Sequence, residues 1–201
     1  MALKFAVNNS LSAVTSLPTA IPTGSMTLLQ TQTASSSSTI DFTSNIDSTY
    51  DVYCFKFYDI HPATDNVSFT FNGSTDGGSN YNATKTTTIF TAFHDEADTN
   101  TGVAYAGSFD LAQSTAFKSL TYQIGNDNDH SSNGYLCIYN PSSTTFVKHF
   151  IARISANTYH DYERDSYTAG YCNTTSAINA IQFKMSSGNI DSGVIKLYGI
   201  S

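Results

Sequence analysis

Histidines and acidic residues occur together in three short segments, where their spacing could support metal binding or acid–base catalysis. Residues 127–130 (DNDH) alternate the oxygen-bearing side chains that Ca²⁺ prefers as ligands. The segment lacks the glycine position and the bidentate glutamate of a helix-loop-helix calcium site, so we expect a solvated hairpin loop. Residues 94–96 (HDE) and 160–163 (HDYE) combine imidazole with carboxylates, as general acid–base catalysis requires, but both have the polar composition of loops.

No established catalytic motif accompanies these segments. The chain contains no Gly-x-Ser-x-Gly nucleophile turn, no His-Glu-x-x-His zinc motif and no phosphate-binding glycine loop. One alternative stays open at this point, which is a pair of glycosidase carboxylates contributed by distant strands. We predict that the protein is not an enzyme, with no catalytic residues, no metal and no cofactor.

A tyrosine-rich segment overlaps the last of these clusters. A tyrosine offers an apolar ring and a hydroxyl group, which suits protein interfaces and stacking on sugars. The core and edge tyrosines of a β-sandwich would give the same pattern, so both interpretations stay open. The candidate ligand surface consists of Tyr159, Tyr162 and Tyr167.

The three cysteines are odd in number, widely separated and without the spacing of a zinc site. Cys54 lies in the apolar run 52–55 (VYCF) and Cys137 in the run 135–138 (YLCI), which predicts strand interiors for both. A disulfide needs an oxidising compartment, and residues 1–11 do not read as a signal peptide. We therefore expect Cys54, Cys137 and Cys172 to be buried free thiols that act as small hydrophobic side chains.

The charge of the chain limits its partners. Of the 201 residues only 12% are charged, and the formal net charge is −7. Nucleic-acid binding requires a basic surface, but the nine Lys and Arg residues are scattered along the chain. No apolar stretch approaches the length of a transmembrane helix. We expect neither a nucleic-acid nor a membrane partner.

Short apolar runs separated by turn residues predict β-strands. The strongest predicted strand covers residues 50–60, and residues 178–200 predict a closing hairpin whose last strand is buried in a sheet. About ten strands are expected without crossover helices, so they should pair antiparallel. We predict an all-β chain in which residues 25–201 form a single antiparallel β-sandwich, a jelly roll.

Residues 1–24 differ from the rest of the chain. Pro18 and Pro22 interrupt short apolar pieces and disfavour a helix, which predicts an extended N-terminal arm. An apolar arm must pack on its own domain or on a neighbouring subunit. Its candidate interface residues are Leu3, Phe5, Val7, Leu11, Val14, Leu17 and Ile21.

Residues 26–71, 140–150 and 168–200 resemble a family of virion structural proteins from tailed bacteriophages of aquatic bacteria, cyanophages especially. The resemblance is carried by IDSTYDVYCFKFYDIHPATD in the first segment, NPSSTTFVKHF in the second and SSGNIDSGVIKLYGI in the third. It implies a non-enzymatic particle component with a jelly-roll fold, made in the cytoplasm of the host bacterium and incorporated into the virion. No site residue is carried over from the family, because the shared motifs look structural.

Two roles follow from this resemblance. Our first hypothesis is a capsid decoration or cement protein that stabilises the head shell. The alternative is a tail or fibre adhesin that binds host surface polysaccharide. In either role the partners would be other virion proteins, such as the major capsid protein or tail proteins, and we expect a homo-oligomer such as a trimer.

Overall fold

The computed structural model describes residues 26–201, which form twelve β-strands and one turn of 3₁₀ helix at Gly107–Phe109. The predicted arm at residues 1–24, with its candidate interface residues, lies outside the described residues. In the described part of the chain, no helix has the length and apolarity needed to cross a membrane. The strands are Thr27–Ser37 (β1), Ile40–Phe42 (β2), Val52–Pro62 (β3), Val67–Ser74 (β4), Lys85–Asp95 (β5), Thr101–Tyr105 (β6), Lys118–Ile124 (β7), Ser132–Tyr139 (β8), Lys148–Asn157 (β9), Tyr162–Cys172 (β10), Ala180–Met185 (β11) and Ile190–Ile200 (β12).

The strands form two antiparallel sheets that pack as a sandwich. The larger sheet has the order β1-β12-β3-β8-β9-β10-β5-β6, and the smaller has the order β2-β11-β4-β7. β1 pairs with β12, β2 with β11, β3 with β8 and β4 with β7. These nested pairs are the jelly-roll arrangement, to which the hairpins β5–β6 and β9–β10 add four strands on one side of the larger sheet. The predicted fold class is confirmed.

Phe183 on β11 lies at the centre of the core. Its buried side chain, like those of Ile181 and Met185, points toward the larger sheet, as the alternation in the sequence predicts. The predicted burial of the last strand is also confirmed, because β12 lies between β1 and β3. Five other phenylalanine rings surround Phe183 at centroid distances of 5.1 to 6.5 Å: Phe42, Phe55, Phe57, Phe69 and Phe71.

The prediction of three free thiols was wrong for two of the cysteines. Cys54 on β3 and Cys137 on β8 are register partners with a Cα–Cα distance of 4.1 Å, and they form a disulfide. Strand pairing brings them together across a sequence separation of 83 residues, which the cysteine spacing does not reveal. Cys172 is a buried free thiol, as predicted.

Three lysines are fully buried between the sheets and their connections: Lys85, Lys118 and Lys148. The Lys85 ammonium donates hydrogen bonds to Asn72 Oδ1 and to the Ala83 carbonyl. Burial penalises the charged form and lowers the pKa of Lys85 and of Lys118 to about 8. The interior therefore contains an amine from each sheet, Lys85 on β5 and Lys118 on β7, and both favour the neutral form more than exposed lysines do.

Candidate functional site

The outer face of the larger sheet, which is turned away from the smaller sheet, carries exposed apolar side chains. On β8, Leu136 and Ile138 point into the core, so Tyr135 and Tyr139 at the alternate positions point outward. Each of these two tyrosines is 40% exposed. Ile151 on β9 lies on the same face and is 46% exposed. The apolar run at residues 135–139 therefore contributes side chains both to the core and to the outer face of the larger sheet.

Small side chains in the middle of this face leave a depression between the large ones. Ala169 on β10 is in register with Ile151 on β9 and with Thr88 on β5. These three residues line two neighbouring hollows of about 410 and 200 Å³. Tyr139 borders the larger hollow and Phe90 the smaller one. We call this depression the outer trough.

The outer trough follows the direction of β9. Its larger hollow is lined by His149 and Ile151, the next by Ile151 and Arg153, and a third hollow of about 170 Å³ by Arg153 and Ser155. Six residue steps along a strand correspond to about 20 Å. The trough is therefore elongated, with an apolar end at His149 and a polar end at Ser155.

A stack of three side chains separates the apolar part of the outer trough from its polar end. The rings of Phe90 and Tyr167 are parallel with centroids 4.8 Å apart, and the Arg153 guanidinium lies 4.9 Å from the Tyr167 centroid. Phe90 and Arg153 are the register partners of Tyr167 on its two neighbouring strands. Both faces of the Tyr167 ring are therefore covered, and only its edge and hydroxyl group reach the trough.

The polar end contains an ion pair. Arg153 Nε donates to both carboxylate oxygens of Asp165 at 3.0 Å, and Nη2 donates to Oδ2 at 2.6 Å. Hydrogen bonding to Asp165 raises the pKa of Arg153, and the hydrogen bond from the Tyr167 hydroxyl to Asp165 raises the pKa of Tyr167. Beside them, Ser155 donates a hydrogen bond to Glu163 at 2.8 Å. These hydrogen bonds fix the orientation of the Arg153 guanidinium and of the Asp165 carboxylate.

The three tyrosines of the predicted ligand surface do not lie together. Tyr162 and Tyr167 occupy positions of opposite parity on β10, so they point to opposite faces of the sheet. Tyr162 stacks on Phe93 at 6.1 Å, and Tyr159 packs against His160 at 3.7 Å in the turn before β10. Of the three, only Tyr167 lines the outer trough.

Two of the three His/Asp segments meet at one end of the sandwich. His130 lies in the β7–β8 connection and Asp161 in the β9–β10 turn. His130 Nε2 is 3.8 Å from Asp161 Oδ1 and 4.0 Å from Asp127 Oδ2. This end cluster is the only group of three potential metal-ligating side chains within residues 26–201.

The remaining segment has a structural role in the β5–β6 turn. Asp95 accepts hydrogen bonds from the Thr99 hydroxyl group and from the backbone amides of Asn100 and Thr99, both amides at 2.8 Å, and these bonds lower the pKa of its carboxyl group. His94 pairs with Asp98 at 3.0 Å on the surface of the same turn. These contacts hold the turn, and His94 lines a hollow of about 420 Å³ beside it together with Glu163 and Asp165.

Comparisons with known proteins identify no relatives of this chain. No family model, no curated protein and no solved structure matches it. The outer trough and the end cluster are the surface features of residues 26–201 whose chemistry indicates a function.

Proposed function

We propose that this chain is a non-enzymatic glycan-binding protein that holds a polysaccharide segment in the outer trough. Within the phage context that the quoted segments imply, this corresponds to a tail or fibre adhesin for host surface polysaccharide. The observation that carries the proposal is the elongated depression with exposed rings on its border and a fixed ion pair at its polar end.

The borders of the outer trough have the chemistry that sugar recognition requires. A pyranose ring has an apolar C–H face and a rim of hydroxyl groups. Tyr135 and Tyr139 offer exposed rings spaced by roughly 13 Å on one strand face, together with phenolic hydroxyl groups. Arg153 and Asp165 offer planar donors and acceptors that are already oriented. The combination supports binding of a chain of sugars.

The size and charge of the outer trough narrow the ligand class. Its main hollow of about 410 Å³ lies within the range of small-ligand sites. A length of about 20 Å suits several sugar units in a row. Among residues 26–201, Arg153 is the only arginine or lysine that lines it, and Asp165 neutralises this charge. With a net charge of −7 on the chain, we expect neutral rather than anionic polysaccharides.

The side chains at the polar end favour binding without turnover. Glycoside hydrolysis needs two carboxyl groups that are free to act as acid and as base or nucleophile. Asp165 accepts hydrogen bonds from Arg153 and from the Tyr167 hydroxyl, which occupies both of its oxygens. Glu163, two residues before Asp165 on the same strand, accepts a hydrogen bond from Ser155. Retained ligand without release of reducing ends is the expected behaviour.

The test is binding of the purified full chain to an array of bacterial surface polysaccharides and neutral hexose polymers. Wild-type protein should bind at least one neutral polymer and release no reducing ends from it. Tyr135→Ala and Tyr139→Ala should each weaken binding about tenfold, which corresponds to about 1.4 kcal/mol. Phe146→Ala is the matched control, because this ring is 71% exposed but does not line the outer trough.

Two results would contradict the proposal. One is the absence of binding to every polymer on the array. The other is a loss in Phe146→Ala equal to that in the tyrosine variants, which would indicate nonspecific adhesion through exposed rings. Circular dichroism of each variant separates a lost ligand contact from a lost fold.

The head-decoration hypothesis depends on different residues and needs its own test. Its predicted contacts are made by the arm at residues 1–24. If removal of this arm leaves binding to phage heads and oligomer size unchanged, the hypothesis is wrong. In either role the Cys54–Cys137 disulfide suits a particle that leaves the reducing cytoplasm of its host.

A further inference from the structure

We propose that Asp127, His130 and Asp161 bind a divalent transition-metal ion such as Zn²⁺, and that the ion links the β7–β8 connection to the β9–β10 turn. This inference is independent of the outer trough. It concerns the end cluster, whose parts are far apart in the sequence and meet only in the folded chain.

The distances in the end cluster leave space for an ion. His130 Nε2 lies 3.8 Å from Asp161 Oδ1 and 4.0 Å from Asp127 Oδ2, and the three ligand atoms are all within 4.8 Å of one another. These contacts are too long for hydrogen bonds. Two ligands that each lie about 2.0–2.2 Å from one Zn²⁺ ion are between 3 and 4.4 Å apart. A small rotation of an exposed aspartate closes the remaining difference.

The His130 side chain provides the second observation. It is 9% exposed, and its Nδ1 atom is buried without a hydrogen-bond partner among the described residues. Its Nε2 atom points between the two carboxylates but lies within hydrogen-bond distance of neither. A buried polar group without a partner destabilises the folded state. An ion at Nε2 would not reach Nδ1, but it would give a partner to a buried imidazole that makes no hydrogen bond among the described residues, and it would neutralise the two facing carboxylates.

Backbone contacts hold the two sides of the end cluster in place. The His130 amide donates to the Asp127 carbonyl at 2.8 Å, and the Asp161 amide donates to the Thr158 carbonyl at 3.0 Å. The Tyr159 amide donates to the Gln123 carbonyl at 3.0 Å, which ties the β9–β10 turn to β7. The site is therefore largely formed before the ion binds.

Gly125 makes room for the imidazole. A Cβ atom at this position would collide with His130 Nδ1 and crowd the backbone of Tyr159. The connection can bring His130 under the β9–β10 turn only because residue 125 has no side chain. This close approach explains how a histidine in a loop becomes almost fully buried.

The donor set favours a transition metal over calcium or magnesium. Ca²⁺ takes six to eight oxygen ligands, whereas this cluster offers one imidazole nitrogen and two carboxylates. Imidazole suits Zn²⁺ and neighbouring transition metals. With three protein ligands, water would complete a four-coordinate site.

The test uses the full chain after treatment with a chelator and titration with Zn²⁺, Co²⁺ or Ca²⁺ alone. Calorimetry should find one Zn²⁺ per chain, with an increase in Tm, and Co²⁺ should give the absorption of a low-symmetry site. Ca²⁺ should bind at least tenfold more weakly. Asp161→Asn should weaken Zn²⁺ binding at least tenfold and remove most of the increase in Tm. Because Asp161 is exposed, this variant should keep the fold.

Two control variants identify the ion's location. Asp129→Asn makes the same change in charge within the β7–β8 connection but outside the three-residue group. His94→Gln removes the surface histidine that pairs with Asp98. Both should bind Zn²⁺ within twofold of wild type. Absence of Zn²⁺ binding, or an equal loss in Asp129→Asn and Asp161→Asn, would overturn the proposal.

Discussion

The buried lysines predict that the protein becomes more stable as the pH rises from 7 to 9. Burial lowers the pKa of Lys85 and of Lys118 from 10.5 to about 8. Between these values the unfolded chain binds more protons than the folded protein, so a rise in pH favours folding. Cys172 has the opposite effect, because burial raises its pKa from 9 to about 11 and the folded protein retains a proton that the unfolded chain loses.

The size of the effect follows from these pKa values. From pH 7 to 9 each lysine should add about 1.3 kcal/mol to the free energy of unfolding. Cys172 should subtract about 0.4 kcal/mol over the same interval. The net gain from these three groups is therefore about 2 kcal/mol, and burial of Lys148, which also lowers its pKa, acts in the same direction. Lys85→Met leaves Lys118 as the main contributor and should reduce the gain to about 1 kcal/mol.

Urea denaturation followed by far-UV circular dichroism at pH 7, 8 and 9 measures this gain. The comparison is made within each variant, so the hydrogen bonds lost in Lys85→Met do not affect it. Lys196→Met is the control, because Lys196 lies on the outer face, 5.2 Å from the Tyr58 centroid, and its replacement leaves both buried lysines in place. An equal gain in wild type and Lys85→Met, or a loss of wild-type stability from pH 7 to 9, would refute the reasoning.

Two further predictions concern the core and the disulfide. Phe183→Ala should lower the free energy of unfolding by about 4 kcal/mol, and Tm by roughly 8–16 °C, because the ring contacts both sheets. The control Phe146→Ala should change Tm little, because this ring is exposed. Similar Tm values for the two variants in thermal denaturation would contradict the position of Phe183 in the core. Reduction of the Cys54–Cys137 disulfide should destabilise the protein by up to about 4 kcal/mol, since it closes a long loop. Thiol titration should detect one free thiol, Cys172, and only after unfolding; three free thiols in the oxidised protein would contradict the disulfide.

The fold class was predictable because it depends on local periodicity. The alternation at Ile181, Phe183 and Met185 identifies a buried strand face without any knowledge of its partners. The strand order was not predictable in the same way. Thr27 on β1 pairs with Gly199 on β12, and no local pattern links residues so far apart.

The candidate sites show the same division between local and long-range information. The parity of positions 162 and 167 could have shown that Tyr162 and Tyr167 point to opposite faces, because both lie on one strand. The end cluster and the disulfide required the topology. Asp161 meets His130 only because β7–β8 and β9–β10 turn at the same end of the sandwich. For the same reason, Tyr135 and Tyr139 could be assigned to a strand but not to a face.

The most direct measurement for the proposed function is a titration of the isotope-labelled chain with the tightest-binding neutral oligosaccharide from the array, followed by amide NMR spectra. We predict that the largest chemical-shift changes fall within residues 88–90, 135–139, 149–153 and 165–169, the strand segments that contribute side chains to the outer trough. Changes confined to other surfaces, such as the end cluster, would contradict the assignment of the outer trough as the glycan site.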